Sequence, residues 1–244
     1  MRTSNPMLAG DVFANWADAD RRATVMTVEG TALKALILLA IAVATAAVSW
    51  SYAATAGLGL PVLLGGALGG FILAMITAFK PTWSPVTAPL YAAAEGLFLG
   101  AISMVINQRY GGIVVNAVAL TFGVMFLMLL LYTTRLIRVT QWLRTMIMVG
   151  TGAIALLYLV SFVLSFFGVM VPFIHSSGPI GIAFSVFVVG LAAFNLLLDF
   201  DAIERGAQAE APKYMEWYGA FGLMVTLVWL YLEILRLLSK LNRR

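Results

Sequence analysis

The sequence predicts an all-α integral membrane protein: a seven-transmembrane helix bundle with the last helix central. Three observations lead there. Hydrophobic residues make up 62% of the 244 and charged residues only 11%, with a mean hydropathy of +0.97, outside the range of soluble globular domains. The apolar residues fall into seven continuous runs, each long enough to cross about 30 Å of hydrocarbon as a helix. Carboxylates sit inside or at the edge of two of these runs, in LLLDFDAIE (Asp199) and LYLEILRLL (Glu233). An ionised group at bilayer depth is costly and commonly faces a bundle interior or a water-filled pathway.

The chain divides into an N-terminal segment, 1–31, expected to be cytoplasmic, and a membrane domain, 32–244. About thirty mostly polar residues come first. No basic n-region with a short apolar core and cleavage site opens the chain, so the first span is expected to act as its own insertion signal. The runs cover roughly 32–54, 60–79, 87–107, 113–133, 146–170, 179–200 and 218–239. Breaker chemistry separates them: Gly57-Leu58-Gly59 before Pro61, Lys80-Pro81 through Pro85 and Pro89, Gly111-Gly112, and Ser177-Gly178-Pro179. The runs are continuous and not alternating, which argues against a β-barrel. The last run is apolar all round apart from one polar stripe, so it belongs inside the bundle.

Basic residues set the orientation. Arg2, Arg21, Arg22, Lys80, Arg135, Arg138, Arg144, Arg205 and Lys213 fall on the side of the N-terminus, which should be cytoplasmic. The tail with Arg236, Lys240, Arg243 and Arg244 runs against this rule if the last segment crosses. Seven crossings remain the expectation. The net charge of +4 reflects these short interhelical segments and carries no sign of nucleic-acid binding.

Cysteine is absent, which excludes disulfides, thiol catalysis and thiolate metal sites. No HExxH, phosphate loop or zinc-spaced cluster occurs, and no cofactor is implied. His175, in PFIHSSGP, lies beside two serines, but no nucleophile elbow accompanies it. The chain is not expected to be an enzyme. Gly65, Gly66, Gly69 and Gly70 in the second run, and Gly96 with Gly100 in the third, give small-residue faces. Tight packing within the chain is the ordinary use of such faces, and a dimer interface the other.

Asn195 and Asp199 are four apart and share a face of the sixth helix. Asp201 points elsewhere and stands four residues before Arg205, an acid-to-base pair at the water boundary. On the last helix Thr226, Glu233, Arg236 and Lys240 form a stripe by three, four and seven spacing. Glu233 has two readings: an inward functional acid, or a local ion pair with Arg236. Glu95, in PLYAAAEGLFLGAIS, has no basic residue within helical reach and needs a partner from another helix, or a proton. Lys80, ending the second run, is either a counter-charge for the sixth-helix acid or a snorkelling boundary lysine.

These pieces together resemble the Bax inhibitor-1 family (transmembrane Bax-inhibitor-motif proteins), in its bacterial branch. MTVEGTALKALILL, FKPTWSPVTAPLYAAAEGLFLGAIS, LDFDAI and LYLEILRLL carry the likeness, from about residue 24 to the C-terminus. The resemblance implies six helices around a central seventh, and acids on the sixth and seventh helices forming a proton-sensitive latch over a calcium-permeable pathway. It implies the latch acids at Asp199 and Glu233, able to hold Ca²⁺, and their basic partner at Lys80. Three departures stand out: Glu233 replaces an Asp, Lys80 replaces an Arg and so lacks the bidentate fork, and GAQAEAPKYMEWY lengthens the segment between the acids. Glu233 is then about 24 Å from the cytoplasmic end if the last helix begins at Trp217, or about 17 Å if crossing begins near Gly222.

The functional expectation is a proton-sensitive passive cation leak, with Ca²⁺ and H⁺ as the ions, in a bacterial inner membrane. Asp199, Glu233 and Glu95 supply the oxygen donors that a hard cation prefers. The rival is a non-conducting regulator that binds a membrane protease or another integral protein, for which lipid-facing glycine faces would matter more than interior acids. A transporter is disfavoured by the lack of an internal repeat or matched broken helices.

Overall fold

The structure is a computed structural model that describes residues 24–55, 59–168 and 176–243. Seven helices among these are long and apolar enough to cross a membrane. They are α1 (Val28–Thr55), α2 (Gly59–Phe79), α3 (Ser84–Arg109), α4 (Ile113–Thr133), α5 (Gln141–Ser165), α6 (Pro179–Gln208) and α7 (Met215–Leu241). A 3₁₀ turn, Pro81–Trp83, joins α2 to α3. Residues 1–23 and His175 lie outside the described residues.

Several helices extend beyond their apolar runs because polar residues at the ends find partners. The Thr140 hydroxyl accepts from the Leu143 amide at 3.2 Å, an N-cap that starts α5 five residues before the expected 146. At the other end α5 stops at Ser165, short of 170, and the chain turns at Gly168 with φ +73°. α6 continues past Phe200 through the Asp201–Arg205 ion pair, Arg205 Nη2 to Asp201 Oδ2 2.8 Å. α1 starts at Val28, four residues into the segment read as outside the bundle. The Thr27 hydroxyl accepts from the Gly30 amide at 3.0 Å and closes its first turn.

α7 is the centre of the bundle. It packs against α1, α3, α4 and α6, while α2 lies outside on α3 and α5 lies outside on α6. Two apolar cores meet on it, one with α1 and α3 around Leu38, Tyr91, Phe221 and Met224, the other with α4 and α6 around Ala117, Leu196, Leu230 and Ile234. Where hydrophobicity cannot drive association, close backbone approach holds helices together. A Cβ on Gly96 would stand 2.3 Å from the Ala42 carbonyl oxygen, and one on Gly100 2.2 Å from that of Ala46. Gly66 and Gly70 likewise face α3, whereas Gly65 opens onto space.

α1 begins on the face where α2, α4 and α6 end; we call it the N-terminal face. There residues 24–26 lie beside 211–213, with the Met26 amide bonded to the Ala211 carbonyl at 2.7 Å. The tail emerges on the opposite, far face, where Arg243 Nε reaches the Tyr110 hydroxyl of the α3–α4 connection at 2.9 Å. At 27 residues α7 is about 40 Å long. It is therefore long enough to cross fully, and its basic end packs against the bundle. Lys240 is 4% exposed, with Nζ bonded to the Gly181 carbonyl at 2.9 Å and the Ser185 hydroxyl at 2.8 Å.

Candidate functional site

One set of interior polar residues forms a column between α5, α6 and α7. On α5 they recur every seven residues, at Arg144, Thr151 and Tyr158; on α7 they do the same, at Thr226, Glu233 and Lys240. Seven residues are close to two full turns, so each set lines one face. α6 lies between them and answers both. From the N-terminal face, Arg144 Nη2 binds Asp201 Oδ2 at 2.7 Å. The Asn195 side-chain amide donates to the Thr151 hydroxyl at 2.8 Å and to the Leu191 carbonyl at 2.9 Å. Asp199 meets the side chain of Thr226. Further out Tyr158 and Arg236 hold Glu233, and Lys240 ends the column at Ser185.

Asp199 and Glu233 have opposite surroundings. Asp199 has a buried Oδ2 without a hydrogen-bond partner. Glu233 is 1% exposed and saturated: Arg236 Nη1 donates to both its oxygens, at 2.8 and 3.0 Å, and the Tyr158 hydroxyl donates to Oε1 at 2.9 Å. Arg236 Nη1 also donates to the Tyr158 oxygen at 2.6 Å, with the guanidinium 5.0 Å over the ring. Burying a charge is tolerable when it is paired and its lone pairs are filled. A buried oxygen with no donor is the exception that calls for an explanation.

The structure thus does not bring the two acids together. Asp199 faces Thr226, one heptad before Glu233 and about 10 Å lower along α7. α7 starts at Met215, earlier than either expected start, which puts Glu233 about 27 Å up the helix. One Ca²⁺ cannot be shared by carboxylates on such separate turns. The local pair of Glu233 with Arg236, the simpler of its two readings, is what forms.

Lys80 does not join either acid. It is exposed, with Nζ 4.5 Å over the Trp83 ring, as a boundary lysine would be. Glu95 lies off the column on α3, with its carboxylate against Gly70 of α2, where an added Cβ would sit 2.7 Å from Oε1. Asp201 takes its expected helical partner Arg205 and a second, Arg144.

Tyr158 and Thr151 were not singled out from sequence. The signal was present, since Thr151 and Tyr158 continue a seven-residue spacing from Arg144 into a mostly apolar run. Glu216 was also missed. It is 0% exposed at the start of α7 and ties three elements together. Oε1 accepts from the Thr27 amide at 2.9 Å, the Thr27 hydroxyl at 2.8 Å and Lys213 Nζ at 2.9 Å, and Oε2 pairs with Lys34 of α1. No sequence spacing links residue 216 to residues 27 and 34; only the fold does.

Comparison with curated proteins and with solved structures gives no match. A family model described as Bax inhibitor 1 like matches residues 5–243, nearly the whole chain and all seven helices. The chain is a membrane protein of the Bax inhibitor 1 like family.

Proposed function

We propose that this protein is a passive, proton-modulated cation leak with Ca²⁺ as its main cargo, and that ions follow the polar column between α5, α6 and α7. The observation that carries this reading is Asp199, a carboxylate with one oxygen buried and unpartnered in the middle of the column. Carrying a proton, it is neutral and tolerable there. Ionised, it demands a counter-ion, and no cation in the described residues pairs with it. A hard cation drawn to that oxygen finds further oxygen donors along the column, at Thr226, Thr151 and Glu233.

Glu233 acts in this reading as the barrier on the far side. Arg236 and Tyr158 occupy its oxygens, and an advancing cation has to displace the guanidinium to pass. The gate is therefore a proton at Asp199 in series with an ion pair at Glu233, and not two carboxylates sharing a proton. Among the described residues α5 packs chiefly on α6 at the level of its backbone, which leaves it the freest wall of the column. The described basic residues on the N-terminal face, Lys80, Arg135, Arg138, Arg144, Arg205 and Lys213, support a cytoplasmic N-terminus.

The test is Ca²⁺ entry into proteoliposomes of the purified protein, read with a trapped Ca²⁺-sensitive dye across pH. Entry should rise with pH as Asp199 ionises, and Asp199→Asn should lower and flatten the curve. Protein-dependent entry that is absent at every pH would remove the leak and favour the regulator that binds another integral protein.

A further inference from the structure

α1 and α4 both pack on α7 and make no comparable contact with each other among the described residues. The gap between them is a cleft of about 490 Å³ whose floor is α7 together with Leu99, Gly100 and Ser103 of α3, within the roughly 300–1,000 Å³ typical of ligand sites. Val43 of α1 and Val118 of α4 stand at its mouth, 58% and 40% exposed. The mouth therefore opens sideways, on the surface that faces lipid.

The lining chemistry excludes a polar occupant. Among the described residues, no charged side chain lines the cleft. Each of its hydroxyls already has a partner: Ser103 and Tyr231 bond each other at 2.6 Å, and Thr121 donates to the Ala117 carbonyl at 2.7 Å. An unfilled apolar gap forfeits dispersion contacts on every wall, and hydrocarbon is the solvent at its door.

Shape narrows the choice further. From Leu39 to Trp50 the α1 wall runs about 16 Å, close to half of a hydrocarbon core of about 30 Å. The cleft thus spans one leaflet, and Trp50 stands at the end where an indole marks the membrane–water boundary. Its volume over that length admits an extended chain but not a helix, which is about 10 Å across with side chains. We propose that the cleft between α1 and α4 binds one acyl chain of a bilayer phospholipid, lying lengthwise against α7. The site selects a chain and leaves the headgroup unspecified. Through it the surrounding bilayer touches the central helix that carries Thr226 and Glu233.

The experiment is photolabelling of the full chain in phosphatidylcholine vesicles that contain phosphatidylcholine with a mid-chain diazirine, followed by peptide mass spectrometry. Label should appear on Leu227, Val228 or Tyr231 of α7 as well as on outward residues such as Phe126. Ala47→Phe with Val118→Phe, both at the mouth, should cut the α7 label several-fold and leave the Phe126 label unchanged. Native protein labelled only on outward faces would overturn the proposal, as would α7 labelling that survives the filled mouth. Val118→Phe alone, at a partly exposed position, serves if the double variant does not yield folded protein.

Discussion

Glu216 and Glu233 are both buried, and what separates them is the work their partners do. Glu216 accepts from backbone, hydroxyl and two lysines, so it fastens residues 24–27 and α1 to the start of α7. Removing one member of a buried pair leaves the other uncompensated, at a cost on the order of 3 kcal/mol. Glu216→Ala should therefore lower the apparent Tm in detergent clearly, and an unchanged melting curve would show that the network contributes nothing. Glu233 is held by one tyrosine and one arginine on the side of the column. Tyr158→Phe deletes a single oxygen and no packing volume. It should leave helicity intact and raise the Ca²⁺ leak several-fold at neutral pH, because Arg236 alone then restrains the carboxylate. If the leak does not change, Tyr158 orders the helices without gating them.

At the scale of elements, the contrast is between helices joined by backbone approach and helices joined by side chains. α1 and α3 meet where Gly96 and Gly100 leave no room for a Cβ, and Ser49 adds a 2.6 Å bond to the Leu97 carbonyl. Gly100→Val should force these helices apart and sharply reduce the yield of folded protein, while Gly65→Ala, with nothing within 4 Å, should be neutral. Equal behaviour of the two in a thermal stability assay would contradict the packing described. α5 has no such seam with α7. It reaches the central helix through Tyr158 and leans on α6 near Gly150, whose missing Cβ would lie 3.2 Å from Leu191. A helix attached this way can shift by side-chain rearrangement, which suits the wall of a pathway and would disable a structural seam.

At the scale of the whole molecule, the seven helices and the central position of the last were legible in the sequence. Apolar run length and the polar stripe on an all-round apolar segment are local properties, and the bilayer makes them decisive. The helix ends were less legible, because Thr140, Asp201 and Arg205 extend helices through bonds that hydropathy does not register. Asp199 stood out as a carboxylate in an apolar run, and its unpartnered oxygen gives that a physical basis. Its neighbour did not follow from the sequence. Depth along α7 depends on where α6 ends and α7 begins, and the six residues between Gln208 and Met215 carry no signal of their own. Lys80 and Glu95 looked equivalent to column residues because charge and depth are visible in a sequence while azimuth between helices is not.

The lack of cysteine makes the topology directly testable. Single cysteines replacing Arg138 and Asn242 should react with an impermeant maleimide from opposite sides of the membrane, and labelling from one side would contradict seven crossings. The central claim, that ions pass through the α5–α6–α7 column under control of Asp199, is tested most directly by one comparison. Ca²⁺ entry into proteoliposomes should be measured across pH for the native chain, Asp199→Asn and Glu95→Gln at matched protein content. The account predicts a native curve rising with pH, a low flat curve for Asp199→Asn, and a native curve for Glu95→Gln, whose carboxylate lies off the column against Gly70. A flat curve for Glu95→Gln beside a native one for Asp199→Asn would place the pathway between α2 and α3 and contradict the account.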